Sequence, residues 1–168
     1  MSLAPPRDVA ARAREVAGAV PDPEVPVLTI EDLGVLRDVT VDAEGAVEVV
    51  VTPTYSGCPA MDTIRDDVGA ALVAAGFPTV RVRTVLSPAW TTDWMTERGR
   101  QALLDEGIAP PGAARWHPGG PVALTLSVRC PRCGSPETRE LSRFGSTACK
   151  SLWQCRACAE PFHHFKAI

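Results

Sequence analysis

The spacing of apolar residues changes character along the first hundred residues. Val9, Ala13, Val16 and Val20 recur at helical spacing, whereas residues 80–86, VRVRTVL, alternate apolar and polar positions as a half-buried strand does. Three prolines follow the first pattern closely and exclude a helix there. The patterns predict, in chain order, a helix at Asp8–Val20, strands at Val35–Val41 and Val47–Thr52, a helix at Pro59–Ala75, a strand at Val80–Leu86 and a helix at Asp93–Asp105.

This element order predicts an α+β protein, in which a small α-β-β-α-β(-α) domain precedes a β-rich ribbon. Asp42–Gly45 forms the hairpin turn between the first two strands, and a right-handed crossover helix leads to the third. Gly107–Pro121 is rich in Pro, Gly and Ala without periodicity, which is typical of a linker, and a strand is predicted at Val122–Val128. The predicted divisions are a domain at 1–106, a linker at 107–121 and a ribbon at 122–168.

Two Cys-x-x-Cys pairs, 21 residues apart, carry the strongest chemical signal in the chain. Each pair places two thiolates on a tight turn, and two such turns close a tetrahedron around Zn²⁺. The pairs therefore predict a structural zinc ribbon, which folds with its metal because so short a segment buries little core. Iron held by the same thiolates, and redox or disulfide pairs, are the alternatives. The predicted ligands are Cys130, Cys133, Cys155 and Cys158.

Cys58 stands apart from these pairs, in the segment TPTYSGCPAM at residues 52–61. Pro59 is suited to the first position of a helix, so Cys58 should lie at a helix N-terminus. The positive end of the helix dipole favours a thiolate there, which predicts a pKa below that of a free thiol. Cys58 is therefore a candidate reactive or metal-binding thiol, with a buried core cysteine as the alternative.

Three further residues are possible accessories to these sites. Cys149 lies outside both pairs and is either a core residue or a second reactive thiol near Lys150. Asp22 and Glu24 lie in a Pro-rich turn that could approach the Cys58 loop, although turn formation alone explains them.

Composition and charge narrow the function classes. The chain has 168 residues, 45% hydrophobic and 22% charged, with a formal net charge of −3, as in soluble globular proteins. Neither a membrane span nor a secretory signal is present in the sequence, so we expect a cytoplasmic location and no membrane partner. Residues from Pro121 on carry a formal charge of +4 and the remainder −7. The basic ribbon could bind nucleic acid or an acidic protein, and the negative total charge argues against nucleic acid.

Three motifs of the first domain resemble the SufT-like family of iron–sulfur cluster assembly proteins. They are DPEVP at 22–26, the TPTYSGCPAM segment and SPAW at 87–90, and the resemblance covers roughly residues 8–105. It implies a small α+β sandwich in which Cys58 holds or passes iron or an iron–sulfur cluster. Because one thiolate cannot hold a cluster alone, we expect a shared site, such as a homodimer would provide.

The whole chain, with the ribbon behind this domain, resembles the PaaD family of subunits of phenylacetyl-CoA epoxidase (phenylacetate-CoA oxygenase) systems. The resemblance implies an accessory subunit of phenylacetate degradation that assists iron or iron–sulfur centre assembly. Its implied partners are a di-iron oxygenase and an iron–sulfur flavin reductase. The sequence agrees with a non-catalytic role, because it lacks the paired helical Glu-x-x-His motifs of a di-iron bundle and a Gly-rich flavin loop.

Two other functions stay open at this point. A thiol redox protein would use Cys58 as its nucleophile, with Cys149 as a second thiol. A nucleic-acid-binding zinc ribbon would show steeply salt-dependent binding to DNA or RNA.

Overall fold

The structure is a computed structural model that describes residues 6–112 and 128–166. The chain divides into two compact units, the first ending at Trp90 and the second beginning at Thr91. Each unit contains one β-sheet. The mixed helix and sheet content confirms the predicted α+β class.

The first unit has the predicted α-β-β-α-β order. Its three-stranded sheet has the order β1-β2-β3, with β1 and β2 antiparallel and β2 and β3 parallel. The parallel pair is joined by the crossover helix α2, as the hydrophobic pattern predicts. The elements are α1 at Pro6–Gly18, β1 at Leu36–Val41, β2 at Val47–Val51, α2 at Ala60–Ala74 and β3 at Val80–Thr84.

The core of this unit lies where the buried face of β2 and the apolar stripe of α2 supply side chains. Val49 and Val51 are fully buried, as are Ile64 and Val68 at helical spacing on α2. Trp90 is also buried, and its Nε1 donates to the Leu33 carbonyl oxygen at 3.0 Å. The predicted core role of Trp90 is therefore confirmed.

The parallel pairing of β2 and β3 determines where the Cys58 segment lies. Val51 pairs with Thr84, so both strands end at the same edge of the sheet. The chain leaves β2 at this edge and re-enters regular structure at Ala60. Cys58 therefore lies beyond the carboxyl ends of the parallel strands, at the start of α2.

The second unit begins with two short helical segments where one helix is predicted. Thr91 accepts from the Asp93 N–H and begins a 3₁₀ turn at Thr92–Trp94, whereas Thr96 accepts from the Gly99 N–H and begins α3 at Glu97–Asp105. Met95 between them is extended, with φ −68° and ψ 132°. The prediction of a continuous helix at Asp93–Asp105 is wrong, because two threonine hydroxyls each cap a separate start.

The sheet of the second unit has the strand order β4-β7-β6-β5. β5, β6 and β7 form an antiparallel ribbon, and the two-residue strand β4 pairs in parallel with β7. β4 falls at the start of the predicted linker; residues 113–121 of that linker and most of the predicted strand Val122–Val128 lie outside the described residues. The strands are β4 at Ile108–Ala109, β5 at Thr138–Ser142, β6 at Lys150–Cys155 and β7 at Pro161–Phe165.

Among the helices of residues 6–112 and 128–166, none combines the length and apolarity needed to cross a membrane.

Candidate metal-binding sites

The four cysteines of the two Cys-x-x-Cys pairs come together in the second unit. Their sulfur atoms all lie within 4.8 Å of one another. Cys130 Sγ lies 3.8 Å from Cys158 Sγ, and Cys133 Sγ lies 3.6 Å from Cys155 Sγ. A tetrahedron with metal–sulfur bonds of about 2.3 Å has edges of about 3.8 Å. The donor set therefore fits a tetrahedral metal ion, and the separations are far too long for disulfide bonds.

Local backbone geometry forms the two cysteine turns in the same way. In the first turn the Gly134 N–H donates to the Cys130 carbonyl oxygen at 2.9 Å, and Gly134 has φ +73°. In the second turn Ala159 takes the corresponding left-handed conformation, with φ +63°, and the Cys155 N–H donates to the Glu160 carbonyl oxygen at 2.9 Å. An alanine in this region costs free energy that glycine avoids.

The cluster is half embedded in a small apolar core. Cys130 and Cys155 are buried against Phe162 and Ala109, whereas Cys133 and Cys158 are exposed. The ribbon therefore holds its cysteines at the boundary between core and solvent. So small a core makes a bound metal a major part of the ribbon's stability.

The protonation of these thiols differs from one sulfur to the next. The backbone N–H of Cys158 stabilises the neighbouring thiolate and lowers the pKa of Cys155 to about 7. Although the backbone N–H of Ser135 lowers it, hydrogen bonding with Cys155 raises the pKa of Cys133 to about 12. Without metal the cluster therefore retains protons at neutral pH. Because metal binding requires thiolates, binding releases those protons.

Cys58 occupies the turn that begins α2. Pro59 is the N-cap residue, and the Cys58 N–H donates to the Tyr55 carbonyl oxygen at 3.3 Å. Gly57, with φ +86°, allows the chain to turn just before the thiol. The thiol itself is half-buried and has formed no disulfide. The structure thus presents a single accessible sulfur at the helix start, where the sequence predicts it.

The protonation of Cys58 contradicts the sequence-based prediction. Burial raises the pKa of the Cys58 thiol above its usual value, and the carboxylates of Glu24 and Asp22 raise it further. Hydrogen bonds from the Ala60 N–H and the Tyr55 side chain lower the pKa but do not outweigh these effects. The predicted low pKa is therefore wrong. A thiol that stays protonated at neutral pH is a poor nucleophile, which weighs against the thiol redox alternative.

The Pro-rich turn supplies the two carboxylates near Cys58. Asp22 is buried, and its Oδ1 accepts from the N–H groups of Glu24 and Val25 at 2.9 and 2.8 Å. Asp22 therefore shapes the turn and also contributes negative charge to the Cys58 environment. Even so, Cys58 belongs to no group of three or more metal-ligating side chains among the described residues. Cys58 thus has too few ligands around it to enclose a metal.

Cys149 is not brought to either site. It is buried, its sulfur lies 3.0 Å from the Thr147 hydroxyl, and it is absent from the four-cysteine group. Sequence reasoning missed Tyr55 and Thr52 near Cys58. Tyr55 hydrogen bonds to the thiol, and the Thr52 hydroxyl is buried with no hydrogen-bond partner. The only sequence signal for them is their place in the polar run TPTYSG that leads to Cys58.

Comparisons with known families divide the chain in the same order. The family described as iron–sulfur cluster assembly protein matches residues 11–86, and the family described as PaaD zinc beta ribbon domain matches residues 118–166. The fold and the two cysteine sites therefore define a protein class in which an iron–sulfur cluster assembly domain precedes a four-cysteine ribbon.

Individual relatives identify the family more closely. A protein of Escherichia coli K12 that is named as a subunit of 1,2-phenylacetyl-CoA epoxidase is 50% identical over 149 residues, which are 89% of this chain and 87% of that protein. The chain belongs to this PaaD family, as the sequence motifs indicated.

The first unit has relatives of its own. The Fe-S protein maturation auxiliary factor SufT of Staphylococcus aureus is 39% identical over 85 residues, which are 49% of this chain and 93% of that protein. The crystal structure of a DUF59 domain from Bacillus anthracis matches with a TM-score of 0.53 and 29% identity, over 58% of this chain and 92% of that one.

Proposed function

We propose that this protein is a non-catalytic accessory subunit of a phenylacetyl-CoA epoxidase system, in which it assists the assembly of iron or iron–sulfur centres. The observation that carries the proposal is the incomplete site at Cys58. One half-buried thiol stands at the start of α2 beside two carboxylates, without enough ligands of its own to enclose a metal. A carrier has to release its cargo, and one ligand leaves the other coordination positions open to the receiving protein.

The cargo is iron or an iron–sulfur cluster that Cys58 binds in passing. Its thiol is protonated when free and gives up that proton when sulfur bonds to iron. Clusters normally take four cysteine ligands. The remaining ligands come from a second copy of the chain, as in a homodimer, or from the subunit that receives the iron. Glu24 and Asp22 keep negative charge beside the cargo and favour cationic iron over a bare thiolate.

The ribbon holds a structural zinc ion. Four thiolates in tetrahedral spacing suit Zn²⁺, which has no redox chemistry of its own and joins the two cysteine turns into one fold. Iron would accept the same donors, so metal analysis has to separate the two. The proposed ligands are Cys130, Cys133, Cys155 and Cys158.

The proposed receivers are the di-iron oxygenase and the iron–sulfur flavin reductase of the same system, in the cytoplasm. The name of the Escherichia coli relative and the names of the maturation factors related to the first unit support this assignment. A reducing cytoplasm also keeps six cysteines available as thiols.

Complementation of a gene deletion tests the proposal. Cells that lack this protein receive the wild type, Cys58→Ser or Cys149→Ser, and the oxygenase and reductase are then purified anaerobically for iron analysis. We expect iron-poor subunits with Cys58→Ser and normal iron content with Cys149→Ser, which also removes one thiol outside the cluster. Normal iron content with Cys58→Ser would overturn the proposed role of Cys58. Iron-poor subunits with both variants would assign Cys149 a share in the function.

A further inference from the structure

An exposed apolar and basic surface lies at the hairpin end of the ribbon. We call it the hairpin-end patch and define it by Leu141, Phe144, Arg139, Arg143 and Lys166. All five residues belong to the second unit, and none is a ligand of the cysteine cluster. The proposed function as described above leaves this surface unused.

A β-bulge directs Leu141 out of the ribbon. β5 is the outer strand of the sheet, and its pairing with β6 shifts between Glu140 and Ser142. The extra residue at the shift is Leu141, whose exposed fraction is 47%. Edge strands are usually protected by bulges or charged side chains, and bulges often re-aim a side chain for use. Here the bulge displays an apolar side chain, which gives the edge no such protection.

Phe144 extends the apolar surface and is held in place. Its exposed fraction of 69% is the highest among the large apolar residues that the structure describes as exposed. Its N–H donates to the Ser142 hydroxyl at 3.2 Å, and the Lys166 Nζ lies 4.9 Å from the centre of its ring. The same Nζ donates to the Arg143 carbonyl oxygen at 3.3 Å. A large aromatic side chain that is both exposed and ordered has the properties of an interface anchor.

The charge around these two residues is positive. Arg139, Arg143 and Lys166 outnumber the one carboxylate of this strand, Glu140. Described residues 128–166 contain seven Lys and Arg and three Glu, a formal +4. Four thiolates with a divalent metal reduce this to about +2. The partner that complements the surface is therefore acidic.

We propose that the hairpin-end patch docks the chain onto an acidic surface of the protein that receives the metal, with Phe144 and Leu141 entering an apolar pocket there. The inference rests on the proposed function, because it takes the receiver to be a subunit of the epoxidase system. A second copy bound through the same patch is disfavoured, because two-fold symmetry would bring two positive surfaces together.

Binding measurements with the full-length, zinc-loaded chain test this proposal. The probes are the purified oxygenase and reductase subunits of the same organism, titrated by calorimetry at low and high salt. We expect Phe144→Ala and Arg143→Glu each to weaken binding by about tenfold or more, as for an interface anchor, and salt to weaken wild-type binding. Val73→Ala is the matched control, because Val73 is an exposed apolar residue of α2 in the first unit. It should change affinity less than twofold.

Four results would overturn the docking proposal. They are wild-type affinity in both patch variants, no binding of the wild type to any subunit, self-association that Phe144→Ala abolishes, and tighter binding of a single-stranded oligonucleotide than of the subunits. Zinc content and the circular dichroism spectrum show whether each variant is folded. Iron delivery by Cys58 is measured separately, so loss of the docking proposal leaves the proposed function open to its own test.

Discussion

Acid should destabilise the ribbon through His164, a residue of β7. Its ring meets Trp153 edge to face, with centroids 6.0 Å apart, and its Nδ1 lies 3.4 Å from the Ser151 hydroxyl. Burial lowers the pKa of His164 to about 4, from about 6.5 in an unfolded chain. The unfolded chain therefore binds more protons between these two values. Stability is fully present above pH 6.5 and is lost as the pH falls toward 4.

The size of the effect follows from the two pKa values. A difference of about 2.5 units corresponds to about 3.4 kcal/mol when the loss is complete. At pH 5 the linkage relation gives about 2 kcal/mol. Because His164 is only partly buried, solvent relaxation reduces this figure, and we expect a loss of about 1–2 kcal/mol between pH 7 and pH 5.

Urea unfolding of zinc-loaded wild type and His164→Gln at pH 7, 6 and 5 measures this loss, with the NMR signals of β6 and β7 amides as the probe. Protonation of the cysteine thiolates weakens both proteins in acid, so the difference between their slopes isolates the histidine. His163→Gln is the matched control on the same strand; burial also lowers the pKa of His163, which is less buried. Equal pH slopes for wild type and His164→Gln, or an NMR titration of His164 near pH 6.5, would refute the reasoning.

Three further predictions concern single residues. Iodoacetamide should alkylate Cys58 more slowly than glutathione at pH 7, because burial raises the pKa of Cys58, and Glu24→Gln should increase the rate; a faster reaction than glutathione would contradict the raised pKa. Trp90→Phe removes the hydrogen bond to the Leu33 carbonyl and should lower the unfolding free energy of the first unit by about 1–3 kcal/mol in urea titrations; a change below measurement error would contradict this account of the buried carbonyl. Ala159→Gly relieves a left-handed alanine and should raise the midpoint of ribbon unfolding by up to about 1 kcal/mol of stability, whereas a lower midpoint would show that the turn is not strained.

Local patterns were sufficient to predict most of the first unit. The apolar spacing on α2 gives bounds within one residue of Ala60–Ala74, because a long amphipathic helix repeats its signal over four turns. The four-cysteine cluster is equally local, since each pair forms its own turn and the two turns can close in only one way around a metal.

Features that depend on distant residues were not predictable from the sequence. β4 pairs with β7, more than fifty residues later, and nothing in a two-residue apolar segment specifies that partner. The pKa of Cys58 was predicted with the wrong sign, because the helix dipole is visible in the sequence while burial and the carboxylates of Asp22 and Glu24 come from the folded chain. The split before α3 reflects a competition between two threonine caps of similar strength.

The central claim is that Cys58 binds iron cargo while the ribbon keeps its zinc. The most direct measurement is the Mössbauer spectrum of zinc-loaded chain after anaerobic reconstitution with ⁵⁷Fe, recorded for the wild type and for Cys58→Ser. We predict a signal of sulfur-ligated iron in the wild type and its loss in Cys58→Ser, with zinc content near one per chain in both. The same iron signal in both proteins would contradict the assignment of Cys58 as the cargo ligand.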